Sequence, residues 1–316
     1  MSITVLGLDT SNYRTSVALV DENGSVLLNY RELLPVLPGE RGLRQNEAVF
    51  AHLRQLNGVS DALREAAKGT IAAVAASLSP RDGSESYMPV FMAGASFGRL
   101  TAAALGVPFV GTTHQRGHLA AAKAGTELDT TENYLALHLS GGTTDLLEVR
   151  GDSVVQIGGS LDLHAGQLVD RAGVAMGLRF PAGPEMEALA SRGCCRGLLG
   201  CSMSDGDLNC HLSGAESQAQ RWIKEGKPNR EDTAREIYDV LARTTARMLT
   251  AGAGKTGLHN ALVTGGVASS PLFRQMLIQR IAAKHNAPKI VFGMPEMSGD
   301  NAVGVALIGL KKIQNG

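Results

Sequence analysis

Two stretches of this chain repeat one pattern. ITVLGLDTSNYRTSVALVDENG (3–24) and YLALHLSGGTTDLLEVRGDS (134–153) each read as an apolar β-rich run, a Ser/Thr/Gly turn carrying one Asp, and a second apolar run. Self-similarity at a separation of about 130 residues points to two duplicated lobes; two unrelated hairpins are the plainer alternative. The chain is long enough for either one large domain or two medium lobes. It has 316 residues, of which 44% are hydrophobic, so each lobe can bury its own core.

Helical periodicity follows each pair of runs. It is read over 47–68, with an interruption near Gly58, over 97–106 up to Gly106, and over 230–249, where Ile237, Leu241, Thr244 and Met248 form one stripe. The stretch 270–285 opens Ser-Pro, which marks a helix start. The stretch 300–313 opens on Asp300 and closes on lysines, as the helix dipole favours. Short apolar runs at 71–78, 108–113, 261–266 and 289–293 read as buried strands. The class is α/β.

Three polar turns follow apolar strands: DTSNYRTS (9–16), SGGTTD (140–145) and TGGVASSP (264–271). Backbone N–H groups in such turns can surround phosphate oxygens. The third runs straight into a helix, whose N-terminus favours an anion. Any one of them could be only a turn. Their order, with two in the repeated hairpins, resembles the actin, sugar-kinase and Hsp70 type of ATPase fold. That resemblance implies two duplicated lobes with a nucleotide and metal cleft between them. The lobes are expected at 1–130 plus 296–316 and at 131–295.

HQRGH (114–118) places His114 and His118 four apart, which on a helix puts both imidazoles on one face. Gln115 stands where a zinc protease carries its glutamate base, so that mechanism lacks its base. The pair could be half of a metal site or two histidines on a surface helix. Asp300, in SGDNAVG, could be a further ligand or only a helix N-cap, and spacing alone does not join positions 114 and 300. Cys194, Cys195, Cys201 and Cys210 lack a zinc-site spacing and read as reduced thiols.

Lys+Arg and Asp+Glu are both 30. A neutral chain has no broad basic face of a stand-alone nucleic-acid binder, so a nucleic-acid substrate would need a partner to supply phosphate contacts. No signal peptide or membrane span is read, and the expected location is the cytoplasm.

The ordered motifs LGLDTS, GASFGRLTAAALGVPFVGTTHQRGHLAA, LSGGTTDL, VDRAGVAMGLRFPAGPEMEALA, LVTGGVAS and SGDNAVG resemble the tRNA threonylcarbamoyl-adenosine synthase family, also called O-sialoglycoprotein endopeptidase or glycoprotease. The resemblance implies an acyltransferase that moves a threonylcarbamoyl group from threonylcarbamoyl-AMP to N6 of adenosine 37 in tRNA. It implies one divalent iron or zinc ion on His114, His118 and Asp300, with ATP or an acyl-adenylate as ligand. It implies ligand contacts at Leu139, Ser140, Gly141, Gly142, Thr143, Asp170, Gly183, Gly265, Gly266 and Ser270, and a phosphate or specificity role for the turn of Asp9, Thr10, Ser11 and Arg14. It also implies a protein partner or a homodimer, and no membrane. No catalytic residue is assigned.

Departures from the family pattern are equally specific. Asn12, Tyr13, Arg14 and Thr15 stand where a Cys-Asp-Glu-Thr run is usual, so a cation replaces a carboxylate at Arg14. Thr143 replaces a histidine, Ser270 an asparagine, and SPRDGSESY (79–87) a shorter Gly-Pro-Gly turn. These leave open an ATP-dependent enzyme acting on another small molecule, or a non-catalytic partner subunit of the same fold.

Overall fold

The computed structural model describes residues 3–11, 13–35, 43–83 and 86–315. In chain order the elements are β1 (Ile3–Thr10), β2 (Arg14–Asp21), β3 (Val26–Leu33), α1 (Gln45–Gly58), α2 (Ser60–Ala66), β4 (Thr70–Ser77), α3 (Phe91–Leu105), β5 (Phe109–Thr112), α4 (His114–Lys123), β6 (Asn133–Leu139), β7 (Thr144–Arg150) and β8 (Ser153–Ser160). There follow α5 (Ala165–Ala175), α6 (Gly183–Ala190), β9 (Ser202–Ser204), β10 (Asn209–His211), α7 (Ser213–Glu225), α8 (Arg230–Thr256), β11 (Asn260–Thr264), α9 (Pro271–Ala282), β12 (Lys289–Phe292) and α10 (Val303–Gln314). Asn12, Ser84 and Glu85, which belong to the divergent motifs, lie outside the described residues.

The chain divides into an N-terminal unit, Met1–Ala124 with Gly299–Gly316, and a C-terminal unit, Gly125–Ser298. Residues 125–130 and 296–298 therefore fall in the C-terminal unit rather than the first. The N-terminal sheet runs β3-β2-β1-β4-β5. Its β1/β2 and β2/β3 pairs are antiparallel, and its β1/β4 and β4/β5 pairs are parallel. The C-terminal sheet contains the same order, β8-β7-β6-β11-β12, with the same senses of pairing. Strands β10 and β9 extend it beyond β8. The repeated motif at 3–24 and 134–153 is thus a repeat of topology: each copy supplies the first antiparallel pair of its sheet.

Burial explains why these segments are strands. In β1 every residue after Ile3 is buried, because helices cover both faces of the sheet. One face packs Leu6, Leu8, Val17, Leu19, Val74 and Ala76 against Leu56 of α1 and Ala93 and Ala102 of α3. Each fully buried Leu or Val contributes about 1.5–3 kcal/mol, more than helix propensity supplies over α3. On the other face α10 lies against β1 and β4. Gly7 permits it, since a Cβ there would stand 2.6 Å from the Ala302 carbonyl oxygen.

Helix boundaries follow their caps. The Thr113 hydroxyl accepts from the Arg116 N–H at 3.3 Å and starts α4. The Ser270 hydroxyl accepts from Phe273 N–H at 3.2 Å, and Pro271 occupies the first turn of α9. The break expected near Gly58 separates α1 from α2. Asp300 is not the cap of α10: the cap position is Ala302, which makes no side-chain bond there. Helix α8 runs on to Thr256, past the expected end at 249, because Leu249, Gly252 and Ala253 stay buried and Gly252 lets the helix approach Leu146 of the sheet. The four cysteines are free thiols. Among the described residues no helix is long and apolar enough to cross a membrane.

Candidate functional site

In the N-terminal unit the HQRGH helix meets the start of α10. Both helices carry a glycine at the crossing. A Cβ on Gly304 would stand 1.8 Å from the Gly117 carbonyl oxygen, and one on Gly117 would stand 3.0 Å from Val305. Gly304 is what allows this approach, and at Gly117 the Val305 methyl would have to give by a few tenths of an ångström. It brings together residues that are far apart in the chain. His118 Nε2 lies 3.0 Å from His114 Nε2 and 3.2 Å from Asp300 Oδ1, and His114 Nε2 lies 3.6 Å from the same oxygen. Among the described residues, this is the one group of three or more His, Cys, Asp or Glu side chains able to hold a metal ion.

The triangle fits an ion. Donors about 2.0–2.1 Å from one divalent cation stand about 2.9–3.4 Å apart. Two imidazoles and a carboxylate on one face form a donor set suited to zinc, iron or manganese. Asp9 lies behind His114, its Oδ2 2.8 Å from Nδ1, and accepts the Ser77 hydroxyl at 2.7 Å. A carboxylate there keeps the proton on Nδ1 and turns the Nε2 lone pair toward the other donors. Ser11 donates to Asp300 Oδ2 at 3.0 Å, fixing the second carboxylate. Among the described residues Asp9 Oδ1 is buried without a hydrogen-bond partner. Two carboxylates and two neutral imidazoles leave the pocket with two negative charges, which a divalent cation balances.

Without an ion the charge falls on protons. Burial alone would lower the His114 pKa, but the Asp9 carboxylate, and behind it Asp300, hold it at about 9. Burial likewise favours protonated Asp300, yet the hydrogen bond from His118 and the charge of both imidazoles draw it well below the usual carboxylate range.

Other residues expected in the first turn have structural work. Thr10 donates to the Val90 carbonyl at 2.8 Å and accepts from Gly94 N–H at 3.0 Å, so its hydroxyl is occupied by α3. Asp9, expected in a phosphate or specificity role, is instead buried and bonded to His114. The Ser11 carbonyl accepts from Nε2 of the buried His52 at 2.9 Å. Arg14 begins β2, half-buried. The longer polar segment at 79–87 is tied to α4: Asp82 takes two hydrogen bonds from Arg116, at 3.1 and 2.9 Å, and the Ser79 carbonyl accepts from His114 N–H at 3.0 Å.

In the C-terminal unit the expected ligand residues form two groups. Ser140, Gly141, Gly142 and Thr143 make the β6–β7 turn, closed by Ser140 N–H to the Thr143 carbonyl at 2.8 Å. Gly141 and Gly142 are exposed and have open space where a Cβ would go. Leu139 points into the core, 2% exposed, so only its backbone can meet a ligand. Gly265, at φ +102°, passes so close that a Cβ would stand 2.3 Å from the Leu139 carbonyl oxygen. Gly266 follows in the turn toward α9. The second group joins α5, α6, α8 and α9. Asp170 accepts from Ala182 N–H at 2.8 Å, and burial pushes its pKa up. Tyr238 donates to the Gly183 carbonyl at 3.2 Å and also neighbours Ser270.

A profile of the tRNA N6-adenosine threonylcarbamoyltransferase family matches residues 42–306. The chain belongs to that family. Two relatives that carry its name are 29% identical: one from Archaeoglobus fulgidus, over 98% of this chain and 92% of its own, and one from Corynebacterium diphtheriae, over 99% and 93%. Solved structures add the fold. A ROK family glucokinase from Streptomyces griseus superposes with a TM-score of 0.54 at 15% identity, over 98% of this chain and 99% of its own. HypF from T. kodakarensis reaches 0.62 at 14% identity, over 99% of this chain and 48% of its own. The (R)-2-hydroxyglutaryl-CoA dehydratase component A from Acidaminococcus fermentans reaches 0.55 at 15% identity, over 99% of both chains. The fold of the chain is therefore the actin-like ATPase fold.

For this member of the tRNA N6-adenosine threonylcarbamoyltransferase family, sequence reasoning missed three supporting residues. Ser77 orients Asp9, Tyr238 links Gly183 to the start of α9, and Glu187 accepts from Leu272 N–H at 2.8 Å in the first turn of α9. Their only sequence signal is a polar residue inside an apolar run, as in IAAVAASL and AREIYDVLA.

Proposed function

We propose that the protein transfers a threonylcarbamoyl group from threonylcarbamoyl-AMP to N6 of adenosine 37 in tRNA, using one iron or zinc ion held by His114, His118 and Asp300. The reading rests on one observation: in a chain of this family, a compact donor triangle is backed by a carboxylate that sets the tautomer of one imidazole. In the reaction the N6 nitrogen forms a bond to the carbamoyl carbon, the bond from that carbon to the phosphate oxygen breaks, AMP leaves, and the amine loses one proton. A divalent ion bound there supplies Lewis acidity toward an oxygen of the ligand.

The chain's own residues do the rest. Asp9 holds the Nδ1 proton of His114 and fixes the ring. Ser11 holds Asp300 in place. In the C-terminal unit the N–H groups of Gly141 and Gly142 face an anion, as backbone turns do, and Asp170 and Gly183 flank the nucleoside. The neutral overall charge fits a transferase that meets its tRNA together with a protein partner.

The test supplies metal-loaded protein and the family's usual partner subunits with threonylcarbamoyl-AMP and a tRNA reading an ANN codon, and measures modified adenosine by mass spectrometry. Product that falls at least ~100-fold with His114→Ala supports the reading. Wild-type protein that neither binds the adenylate nor restores the modification in depleted cells refutes it.

A further inference from the structure

The N-terminal unit carries a cation that its internal interactions leave unused. Thr15 of β2 turns toward α1, where its hydroxyl lies 2.7 Å from His52 Nδ1 and 2.5 Å from Gln55 Oε1. Val17 and Leu19 continue into the same core beside α1 and α3. Side chains alternate along a strand, so Arg14 and Ser16 stand on the opposite face. Ser16 pairs in register with Asp9, the residue behind His114. Arg14 is one more step along that face toward the turn of the hairpin.

The position of the guanidinium agrees. Arg14 Nη1 lies 3.6 Å from where a Cβ on Gly299 would stand. Gly299 precedes Asp300, and its missing side chain leaves nothing of its own to screen the cation from the triad. Among the described residues the Arg14 side chain makes no hydrogen bond or ion pair, although it is half-buried. Asp300 and Asp9 do not serve it: they are bonded to His118 and Ser11, and to His114 and Ser77. A partly desolvated cation without a counter-charge is costly. Beside a divalent ion its repulsion would add to that cost, unless a ligand brings negative charge. Arginine's planar fork matches the two oxygens of a carboxylate or phosphate.

We infer that Arg14 is an anion-binding residue of the triad's site, taking a carboxylate or phosphate oxygen of the same ligand that the triad receives. This rests on the acyl-adenylate reading above, whose ligand offers both groups: the threonyl carboxylate and the adenylate phosphate. The neutral N6 amine of the acceptor is not repelled by the guanidinium. The residue thus acts on the donor substrate without repelling the acceptor amine.

Calorimetry on zinc-loaded full-length protein tests this with two probe pairs, N-carbamoyl-L-threonine against its methyl ester and AMP against adenosine. Wild type should prefer the anion of at least one pair. Arg14→Gln should cut that preference by roughly 10–100-fold, the worth of a charge-assisted hydrogen bond, while neither zinc affinity nor the thermal midpoint falls. Arg14→Lys should keep part of it. Loss confined to the first pair assigns the carboxylate, and loss confined to the second assigns the phosphate. A wild type without any anion preference, or an Arg14→Gln variant that retains it in both pairs, overturns the inference. No transfer step enters the assay, so its outcome stands apart from that of the tRNA experiment. Anion preference lost in the variant, with no tRNA modification by wild type, would remove the proposed reaction and leave Arg14 an anion-binding residue.

Discussion

The first hairpin of each sheet has the same place in the topology and the opposite chemistry. At the end of β1 the chain presents side chains: Asp9, Thr10 and Ser11 are all 3% exposed or less, each bonded to a helix or to the triad. At the end of β6 it presents backbone: Ser140 is half-buried, and Gly141 and Gly142 are exposed with no side chain. A duplicated frame has thus been filled in two ways, one turn gathering side-chain donors around His114 and Asp300 and the other exposing glycine backbone, with Gly142 N–H donating to Ser140 Oγ at 3.3 Å. Strand order and pairing set where a turn opens. The residue types in the turn decide which charge it can hold.

The two sites therefore break in different ways, and close approach by glycine tests this most severely. Gly304→Ala places a methyl group inside van der Waals contact with the Gly117 carbonyl. The α4–α10 crossing must open, at a cost of about 3 kcal/mol, and His118 and Asp300 separate. We expect zinc binding to be lost while AMP binding by the C-terminal unit persists. Gly265→Ala is the mirror experiment. It strains a positive φ and pushes on the Leu139 carbonyl, and it should weaken AMP while sparing zinc. Titration of both ligands against both variants checks the pair. A variant that loses both ligands equally would show that the two sites are not separable.

These glycines also mark how far the sequence could be read. The α/β class, the repeated hairpins, the Ser270–Pro271 helix start and the break near Gly58 all rest on local patterns of a few residues, and all are present. The triad does not rest on local pattern. Asp300 looks like an N-cap from its neighbours, and it joins His114 and His118 only because Gly117 and Gly304 let two helices cross. Nothing in either segment's own periodicity encodes that contact. The family resemblance supplied the link instead. Strand β3 was hidden for a different reason: it lies at the sheet edge with five of its eight residues exposed and none buried, so it lacks the apolar run that revealed β1. The role of Asp9 was hidden too. Its short motif reads as a turn, whereas its contact with His114 comes from the strand face on which it stands.

A smaller effect separates orientation from ligation. Asp9→Asn keeps the shape behind His114 and removes the charge. Metal affinity should fall by roughly 10–100-fold, as for other carboxylates that hold a ligating histidine. In metal-free protein the His114 pKa should drop from about 9, read by NMR of the imidazole ring. The counterpart in the other hairpin, Ser140→Ala, removes only a 3.3 Å bond from Gly142 N–H and should change AMP affinity by less than about tenfold. An unchanged His114 pKa in Asp9→Asn would mean that Asp300, not Asp9, sets its charge.

The smallest effect is on stability against pH. A site of side chains titrates, whereas the turn Leu139–Thr143 with Gly265 and Gly266 has no ionisable side chain. Two histidines of the N-terminal unit, half-buried His114 and buried His52, act with opposite sign in metal-free protein. His114, raised from 6.5 to about 9 by Asp9 and Asp300 against the pull of burial, binds a proton more tightly folded than unfolded. Its contribution is complete below 6.5 and fades as pH rises through about 9. His52 is lowered from 6.5, first by burial, so the unfolded chain holds the proton more tightly. Its contribution is complete above 6.5 and is lost as pH falls below that value. The metal-free N-terminal unit should therefore be most stable near pH 6.5, losing the His114 contribution as pH rises from there to about 9 and the His52 contribution as pH falls below it. Hydrogen exchange by mass spectrometry, corrected for intrinsic rates, can follow β1 and β4 against β6 and β11 in one sample. His114→Asn should remove the alkaline loss and leave the acid one, and zinc should do the same by displacing the proton. If the alkaline loss survives both changes, it belongs to another group, and the carboxylate behind His114 is not what holds its charge.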